Sequence, residues 1–334
     1  MRKSIQHTIT TGRFTLPVVI FICLLSWIVI ALVYGEEITT AQQTYTTYAL
    51  SEQLGLPSLK GKMQYIIGVT LILLIAYALA VINNKFALVR IRATVQTCVF
   101  LLFIVSCPML YAVEEAAITS FSLLLSIYFL FKSYQAQSPV PLFYSFFLLG
   151  VSCIILPQLI YLSPMWLIGT AGFQALNFRN LAGALAGITL PFWFLFGHAF
   201  YHDTPTLFTG CLREMVHFYP LSSLLSTPAW MIAMYVYLSI IALISTVHII
   251  AYSYEDKIQT RAYLRFLIQF SFYLIVCFLL QPVHGTTLLV TLTETVSILA
   301  AHFFVLTNTR TSNVLFIASV AGVITLLAAN LWIL

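Results

Sequence analysis

Uninterrupted apolar runs of about 20 residues, separated by short polar links, dominate this chain. An α-helix of roughly that length crosses a hydrocarbon core of about 30 Å. Hydrophobic residues make up 61% of the 334 residues and charged residues only 7%, whereas charges supply about a quarter of a soluble domain. The segments of roughly ten alternating residues that mark a membrane β-barrel are absent from the sequence. The sequence therefore predicts an all-α, polytopic membrane protein.

We predict eleven spans in a single integral membrane domain, residues 1–334, with no soluble domain. The first span follows Arg2, Lys3 and Arg13, but it is too long for a signal peptide and lacks a small-x-small cleavage site, so we interpret it as retained. The sixth is short and contains Gly169 and Gly172, so we expect an irregular crossing. The spans are predicted at 15–34, 64–83, 96–113, 118–133, 142–162, 164–177, 181–201, 228–251, 264–281, 286–306 and 313–333.

Lysine and arginine are distributed unevenly between the links on the two sides of these spans. Cytoplasmic loops retain such residues, which predicts a cytoplasmic N-terminus and a C-terminus outside. The cytoplasmic side then holds twelve of the fifteen, namely Arg2, Lys3, Arg13, Lys85, Arg90, Arg92, Lys132, Arg179, Lys257, Arg261, Arg265 and Arg310. Without the sixth span the basic link at 254–265 would move outside, so the span count and the orientation support one another.

Two outer segments, 36–61 and 202–227, are long enough to carry structure. The second has apolar residues at helical spacing between Pro205 and Pro220. We expect an amphipathic helix there, lying on the outer surface. Seven of the ten acidic residues also fall on this side under the predicted orientation, which favours chemistry or cation binding on the outer face.

Two pairs of adjacent glutamates, Glu36-Glu37 and Glu114-Glu115, each follow an apolar run directly. The simpler interpretation is a solvated polar stop after a span. The functional interpretation is a general base near the membrane surface, or carboxylates that hold a divalent cation against a phosphate, because hard cations prefer oxygen ligands. Glu114 and Glu115 are the candidate metal ligands, and a divalent cation is the candidate cofactor.

Phosphate in a lipid-linked substrate needs hydrogen-bond donors, and the outer side offers a few. Arg213 lies on the predicted amphipathic segment and presents a bidentate fork. The histidines expected near this face, His202, His217 and His284, are further candidates for substrate binding. The alternative for each histidine is that its amphipathic ring simply suits a membrane interface.

Glu294 is an acid inside a predicted span. It lies about nine residues into the tenth span, roughly 13 Å deep and close to the midplane. An ionisable group at that depth is a functional candidate by default. The alternative is a glutamate of the bundle that is protonated, or that is satisfied locally by its neighbours Thr291, Thr293, Thr295 and Ser297.

Other patterns exclude functions or describe architecture only. No G-x-x-x-x-G-K phosphate loop occurs, and the six cysteines form no C-x-x-C pair. ATP-driven work, a cysteine metal site, a disulfide framework and a nucleic-acid partner are therefore not expected. Pro157 should kink the fifth span, and Gly183-x-x-x-Gly187 should let two helices approach closely.

The stretch from Phe143 to His198 combines paired spans, a central Pro157, a turn at Asn177-Phe178-Arg179-Asn180 and a small-residue run up to Pro191. In these features it resembles the middle of a C-type (GT-C) glycosyltransferase. The resemblance implies an enzyme that takes a sugar from a polyprenyl-phosphate donor on the outer face. In that family one acid follows span one and a second lies in the second outer loop, places matched by the two glutamate pairs.

The chain departs from that family in two respects. A glutamate pair stands where the family usually has Asp in a longer loop, and no large C-terminal outer domain follows.

The chain also resembles, from Asn83 to His202, an uncharacterised family of multi-pass inner-membrane proteins from Bacteroidota. That second resemblance implies a bacterial inner-membrane setting and no particular reaction.

Three functional hypotheses follow. The first is a GT-C-like protein that handles a polyprenyl-phosphate-linked sugar, with Glu36 or Glu37 as base, Glu114 or Glu115 positioning a cation or acceptor, and Arg213 meeting phosphate. The second is an ion-coupled transporter or lipid flippase built around Glu294. The third is a non-catalytic membrane subunit of an envelope complex, which would bind a protein partner.

Overall fold

The computed structural model describes residues 5–10, 12, 14–42, 62–89, 94–110 and 114–333. For residues 5, 34–42, 62–64, 114, 221 and 333 it describes the backbone alone. Within these ranges the chain forms α-helices and short 3-10 segments, and it contains no strand. The α-helices are α1 Ile5–Thr10, α2 Thr15–Gln42, α3 Lys62–Phe86, α4 Val95–Val105, α5 Glu114–Lys132, α6 Val140–Ile155, α7 Ser163–Gly172, α8 Phe178–Tyr201, α9 Pro205–Val216, α10 Ala229–Ala251, α11 Ile258–Leu280, α12 Gly285–Leu306 and α13 Arg310–Ile333.

Eight helical segments in the described ranges are long and apolar enough to cross a membrane, which confirms an all-helical polytopic membrane protein. They are Thr15–Val33, Tyr65–Phe86, Glu115–Lys132, Phe178–Tyr201, Ala229–Ala251, Ile258–Leu280, Pro282–Leu306 and Arg310–Trp332. The count of eleven spans is not supported, because the predicted third, fifth and sixth spans contain shorter helices. The orientation stays a prediction.

Prolines explain two of these differences. The helix of the predicted span 96–113 ends at Val105, and a 3-10 segment, Pro108–Leu110, follows. The helix of span 142–162 ends at Ile155, because Leu156 takes an extended conformation before Pro157 and a residue before proline disfavours the α region. Pro157 therefore opens a 3-10 segment, Pro157–Leu162, instead of kinking a continuous helix.

The predicted sixth span, 164–177, contains α7, which has only 10 residues and is about 15 Å long. The chain nevertheless returns to the end of the bundle from which α6 began, since the backbone N–H of Gln135 donates to Phe173 O at 2.9 Å. The side-chain amide of Asn180 donates to Ala136 O and Ala175 O, joining the same two turns. The alternation of chain direction after α7 is therefore the one predicted, although α7 is too short to cross alone.

One end of the bundle gathers the turns that carry most of the described cations. Lys85 donates to the hydroxyl of Tyr128, Thr260 donates to Ala87 O, and His302 pairs with Asp256 at 3.2 Å. These contacts bring together the turns after α3, α5, α7, α10 and α12. We call this the basic end and the opposite end, where α12 begins, the pocket end. The described cations near the basic end are Lys85, Lys132, Arg179, Lys257, Arg261, Arg265 and Arg310.

α12 is the central helix of the bundle. Of its 22 residues, 20 are buried, and it packs against α4, α5, α10 and α11. Its hydroxyls also make polar links, because Thr291 meets Ser120 of α5 at 3.0 Å and Thr295 accepts from Ser271 of α11 at 3.1 Å. The helix therefore carries polar residues into the middle of an otherwise apolar core.

The small-residue motif behaves as predicted, because it lies where α8 packs against α6. A Cβ built on Gly183 would lie 2.8 Å from Pro139 Cβ, and one built on Gly187 would overlap the carbonyl oxygen of Phe143. At Gly197 of the same helix nothing lies within 4 Å of such an atom. Gly187 is therefore required by close helix approach, whereas Gly197 is not.

We expect Gly187→Val to lower the free energy of unfolding by about 1–3 kcal/mol, the usual range for overpacking. The matched control is Gly197→Val, which places the same side chain on the same helix in open space. A fluorescence-detected thermal melt in detergent would report both midpoints. Equal midpoints for the two variants would contradict the packing assigned to Gly187.

Candidate functional site

A cavity of about 190 Å³ lies at the pocket end of the bundle. Its walls come from the 3-10 segment Pro157–Leu162, the last turns of α11, and the start of α12 with the residues before it. The lining residues are Gln158, Leu159, Tyr161, Leu162, Phe218, Tyr273, Val276, Cys277, Leu280, Gln281, His284 and Leu288. The cavity is thus largely apolar, with a few polar groups, which is the usual composition of a small-molecule site.

The amphipathic segment predicted between Pro205 and Pro220 forms one side of this region. It folds as α9, with Pro205 in its first turn, and it packs on α8 and on the 3-10 segment Pro157–Leu162. Leu207 and Cys211 are buried against Leu195 and Ala199 of α8. The predicted helix is therefore confirmed, and its apolar face is directed at the bundle.

Residues 217–220, which follow α9, pack against the residues that line the cavity. Phe218 stacks on Tyr161 with ring centroids 4.9 Å apart. The backbone N–H of Tyr219 donates to the side-chain oxygen of Gln281 at 3.3 Å, and its ring contacts that of His284. The segment is thus anchored to both the 3-10 wall and the start of α12.

One carboxylate fastens α9 to the wall of the cavity. Gln158 donates its side-chain N–H to Oε2 of Glu214 at 3.0 Å. Burial, with the negative charge of Glu214 as a second cause, raises the pKa of Tyr219 above its ordinary value. The phenol of Tyr219 therefore stays protonated at neutral pH and is a hydrogen-bond donor beside the cavity.

Two polar atoms in the lining have no partner among the described residues. They are the Nε2 atom of His284 and the hydroxyl oxygen of Tyr161, and both are buried. A buried polar atom without a partner is unfavourable by about 1–3 kcal/mol. A ligand or ordered water in the cavity would relieve that penalty, so these two atoms mark the polar contacts of the site.

The structure separates the four predicted phosphate-binding residues. His284 lines the cavity, and His217 is connected to it through Tyr219, whose ring lies 4.8 Å from that of His217. Arg213 is exposed on α9, and His202 follows α8 with its ring 4.4 Å from that of His198. Only His284 of the four lines the cavity.

The glutamate pairs have different backbone positions from those expected at the end of a span. α2 continues through Glu36 and Glu37 to Gln42, so the start of the predicted outer segment 36–61 is helical. Glu114 and Glu115 open α5, at the positive end of the helix dipole, where carboxylates are stabilised. The second pair therefore lies at the start of a helix and not at the end of one.

The side chains of Glu36, Glu37 and Glu114 lie outside the described residues, so their catalytic roles stay predictions. Glu115 is partly buried. The hydroxyl of Ser120 on α5 donates to Thr287 O on α12, so these two residues lie at the same depth. Both helices begin at the pocket end. Glu115 precedes Ser120 by about 7 Å along α5 and therefore lies near the depth of His284, which precedes Thr287. No group of three His, Cys, Asp or Glu side chains among those described could hold a metal ion, and the role of Glu114 and Glu115 as metal ligands stays a prediction.

Sequence reasoning missed Glu214, Tyr161, Tyr273 and Gln281 as parts of the site. A usable signal was present, because two glutamines adjoin prolines at the ends of apolar runs: Gln158 after Pro157 and Gln281 before Pro282. Proline ends a helix and frees backbone groups there. An amide beside such an end is well placed to line a gap in the bundle.

The fold and the pocket together define a class, an all-helical polytopic membrane protein with a small cavity at one end of its bundle. No family model, no curated protein and no solved structure matches this chain.

We expect Glu214→Ala to loosen α9, because it leaves the amide of Gln158 without its acceptor. The loss of about 1 kcal/mol corresponds to roughly fivefold faster hydrogen exchange through local opening of residues 205–216. Glu214→Gln retains an acceptor oxygen and should keep the protection of the unchanged protein. Hydrogen exchange with mass spectrometry measures both, and equal protection in the two variants would show that the hydrogen bond does not hold α9.

Proposed function

We propose that this protein binds a lipid-linked substrate at the pocket end of its bundle, in a bacterial inner membrane. The substrate class is a polyprenyl-phosphate-linked sugar, and the reaction is transfer of that sugar on the outer face. The observation that carries the binding proposal is the apolar cavity lined by two polar atoms that have no partner in the described part of the chain, His284 Nε2 and Tyr161 OH. An amphipathic ligand matches that combination, since its apolar part meets the walls and its polar part meets the two atoms.

Access from the side of the bundle supports a lipid in particular. Val276 and Leu280 line the cavity and are also about half exposed, at 49% and 51%. Both lie on α11, one of the helices apolar enough to cross a membrane. A chain lying in the bilayer can therefore reach the cavity along an apolar surface, without first entering water.

The charged groups around the pocket suit a phosphate at its edge. Arg213 lies next to Glu214 on α9, and Glu214 holds Gln158 of the wall. Arg213 is exposed and His217 extends the ring contacts of Tyr219 and His284. In this proposal Arg213 and His217 reach the same phosphate from outside the cavity, while the glutamate pairs supply the base and the positioning carboxylates.

We expect Tyr161→Phe to lower the affinity for undecaprenyl phosphate by about five- to tenfold, the equivalent of one hydrogen bond. The variant should not lose stability without lipid, because this hydroxyl has no partner among the described residues. His284→Ala should weaken binding as well. Native mass spectrometry of the detergent-solubilised protein, titrated with undecaprenyl phosphate, measures these affinities.

The controls are Tyr201→Phe and His198→Ala, which make the same kinds of change at exposed positions near the same end of the bundle. Undecaprenol, which lacks the phosphate, reports the contribution of the apolar part. Equal affinities for Tyr161→Phe, His284→Ala and the two controls would overturn the assignment of the cavity as the lipid site.

The transferase part has its own test, in which Glu36 and Glu37 are both replaced by Gln. We expect this double variant to lose sugar transfer from a polyprenyl-phosphate-linked hexose and to retain lipid binding, because a general base must be able to accept a proton. Transfer is measured with radiolabelled sugar in proteoliposomes. The control is Glu255→Gln at the basic end. Unchanged transfer in the double variant would remove the catalytic assignment of this pair.

Glu294 favours a second candidate function, an ion-coupled transporter or lipid flippase. Its side chain is 0% exposed, and neither carboxylate oxygen has a partner among the described residues. Intramembrane acids of this kind occur along ion and proton pathways. Transport of the lipid that depends on Glu294 and is insensitive to Glu36 and Glu37 would favour this second candidate over sugar transfer.

A further inference from the structure

Glu294 lies at the middle of α12, the most deeply buried helix of the bundle. It is preceded by nine residues and followed by twelve in that helix. Its side chain is 0% exposed, and both carboxylate oxygens are buried without a hydrogen-bond partner in the described part of the chain. The side chain of Glu294 is therefore a carboxyl in an apolar interior, and no described group forms a hydrogen bond with it.

The hydroxyl groups near Glu294 on its own helix are already engaged. Thr291 donates to Thr287 O at 2.9 Å, Thr293 to Leu289 O at 2.8 Å, and Ser297 to Glu294 O at 2.7 Å. Thr295 donates to backbone oxygens of the preceding turn. These side chains satisfy the helix backbone, so the sequence expectation that they would hydrogen-bond the Glu294 carboxyl is not met.

The neighbouring helices bring no described charge to the depth of Glu294. α4 contains no charged residue, and α5 carries charges only at its ends, Glu114 and Glu115 at one and Lys132 at the other. α10 carries only His248, which contacts Phe303 about 13 Å further along α12. The other described acids and histidines around α12 lie towards its ends: His284, His7, and the pair Asp256–His302.

α11 contributes two arginines, and both lie nearer the basic end. Ser271 meets Thr295 at 3.1 Å, which fixes the level of α11 beside Glu294. Arg265 is six residues before Ser271, about 9 Å away along the helix, and its side chain is exposed. Arg261 lies a further turn away, so neither arginine neutralises an ionised Glu294 in this arrangement.

Gln96 of α4 is a polar side chain near the depth of Glu294. Ser106, at the end of α4, contacts Met234, and the hydroxyl of the next residue, Tyr235, donates to Gly285 O, so the end of α4 lies within about one helical turn of the start of α12. Gln96 is ten residues before Ser106 and Glu294 nine after Gly285. At 1.5 Å per residue these steps are about 15 Å and 13 Å, so the two residues lie within about one helical turn of each other in depth.

Gln96 also lies on the side of α4 that faces the core helices. Gln96, Phe100 and Phe103 share one helical face by their spacing, and Phe103 contacts the ring of Tyr237 on α10. Gln96 is 1% exposed, and both its amide nitrogen and its amide oxygen are without a partner among the described residues. α4 packs directly against α12. Two helices in contact therefore each present, at a similar depth, a buried polar group without a partner among the described residues.

We propose that Glu294 and Gln96 form a buried proton-binding site at the centre of the bundle. An ionised carboxylate without a donor or counter-charge in an apolar interior is highly unfavourable, so the arrangement in this structure holds the neutral acid. The amide of Gln96 can accept from the protonated carboxyl and can donate to the ionised one. Dense packing around α12 favours a proton over a hydrated metal ion, because a proton needs no additional space.

The site is connected to the pocket through α12. Leu288 lines the cavity and lies six residues before Glu294, about 9 Å along the same helix. A change in the charge of Glu294 would draw water or a donor into the bundle and shift the helix that forms one cavity wall. The proposal goes beyond lipid handling, because it does not depend on lipid binding in the cavity. If the protein is an ion-coupled transporter, the proposal identifies the coupled ion as a proton.

Infrared spectroscopy of the protein in nanodiscs at pH 7 tests the proposal. Exposed carboxylates have pKa values near 4 and are ionised at this pH, whereas a neutral Glu294 gives the C=O stretching band of a protonated carboxylic acid, which shifts in D₂O. We expect this band in the unchanged protein and in Glu255→Gln, and its loss in Glu294→Gln. Absence of the band from the unchanged protein would overturn the proposal.

Two further variants keep the test decisive. Glu294→Asp retains the carboxyl and should retain a displaced band, so it remains informative if Glu294→Gln fails to fold. Gln96→Leu should shift the band, because it removes the proposed partner; a band unchanged in both position and D₂O shift would exclude Gln96 from the site. Loss of the band on adding sodium at constant pH would show a metal-ion site and overturn the proton assignment.

Discussion

The burial of α12 is the constraint on which the rest of the bundle depends. A helix satisfies its own backbone, which is why helices can lie in an apolar interior, but α12 also carries Thr, Ser, Glu and His side chains into that interior. Most hydroxyls bond to carbonyl oxygens of the preceding turn, while Ser120 and Ser271 add links to α5 and α11. The helices around α12 are thus positioned by apolar packing and by a few hydrogen bonds, and the carboxyl of Glu294 on α12 has no hydrogen-bond partner among the described residues.

The pocket arises from a different constraint, the breaks that proline imposes on the apolar segments. α6 stops before Pro157 and α11 stops before Pro282, so at this end the walls are 3-10 turns instead of continuous helices. The gap that results is closed by α9 and residues 217–220, held by Gln158, Glu214 and the stacked rings of Tyr161 and Phe218. A cavity with apolar walls and amide edges is the consequence of ending helices inside an apolar region.

Composition and run length were enough to predict the class of protein, because apolar runs of this length have few alternatives to membrane helices. They could not give the number of crossings. Hydropathy stays high through Leu156 and Pro157, so a scan does not register that the backbone leaves the helix between them. For the same reason hydropathy does not show that Glu114, which follows one apolar run, is the first residue of the next helix. Predictions from local chemistry, such as the Asn177 turn, fared better, since Asn177 caps α8 by accepting from the N–H of Asn180 at 2.8 Å.

The site was harder to predict because its parts are far apart in the sequence. Gln158, Glu214 and Gln281 meet only after α6, α9 and α11 have packed, and no spacing rule joins them. His284 was predicted because a phosphate needs hydrogen-bond donors, and a histidine at the outer end of a span can supply one. The hydrogen-bonded pair of Gln158 and Glu214 was not predicted, because each residue alone is ordinary at a membrane surface. Depth, in contrast, could be estimated from span position, and this is why Glu294 was identified correctly as a buried acid.

The backbone also separates the roles open to the two glutamate pairs. The positive end of α5 stabilises negative charge on Glu114 and Glu115, and an ionised, stabilised carboxylate suits the holding of a cation better than the abstraction of a proton. Glu36 and Glu37 lie inside α2, at least five residues before its end at Gln42, and receive no such stabilisation from a helix N-terminus. A general base acts best when its affinity for the proton is not reduced by its surroundings. The helix positions therefore favour Glu36 or Glu37 as the proposed base and leave Glu114 and Glu115 for positioning.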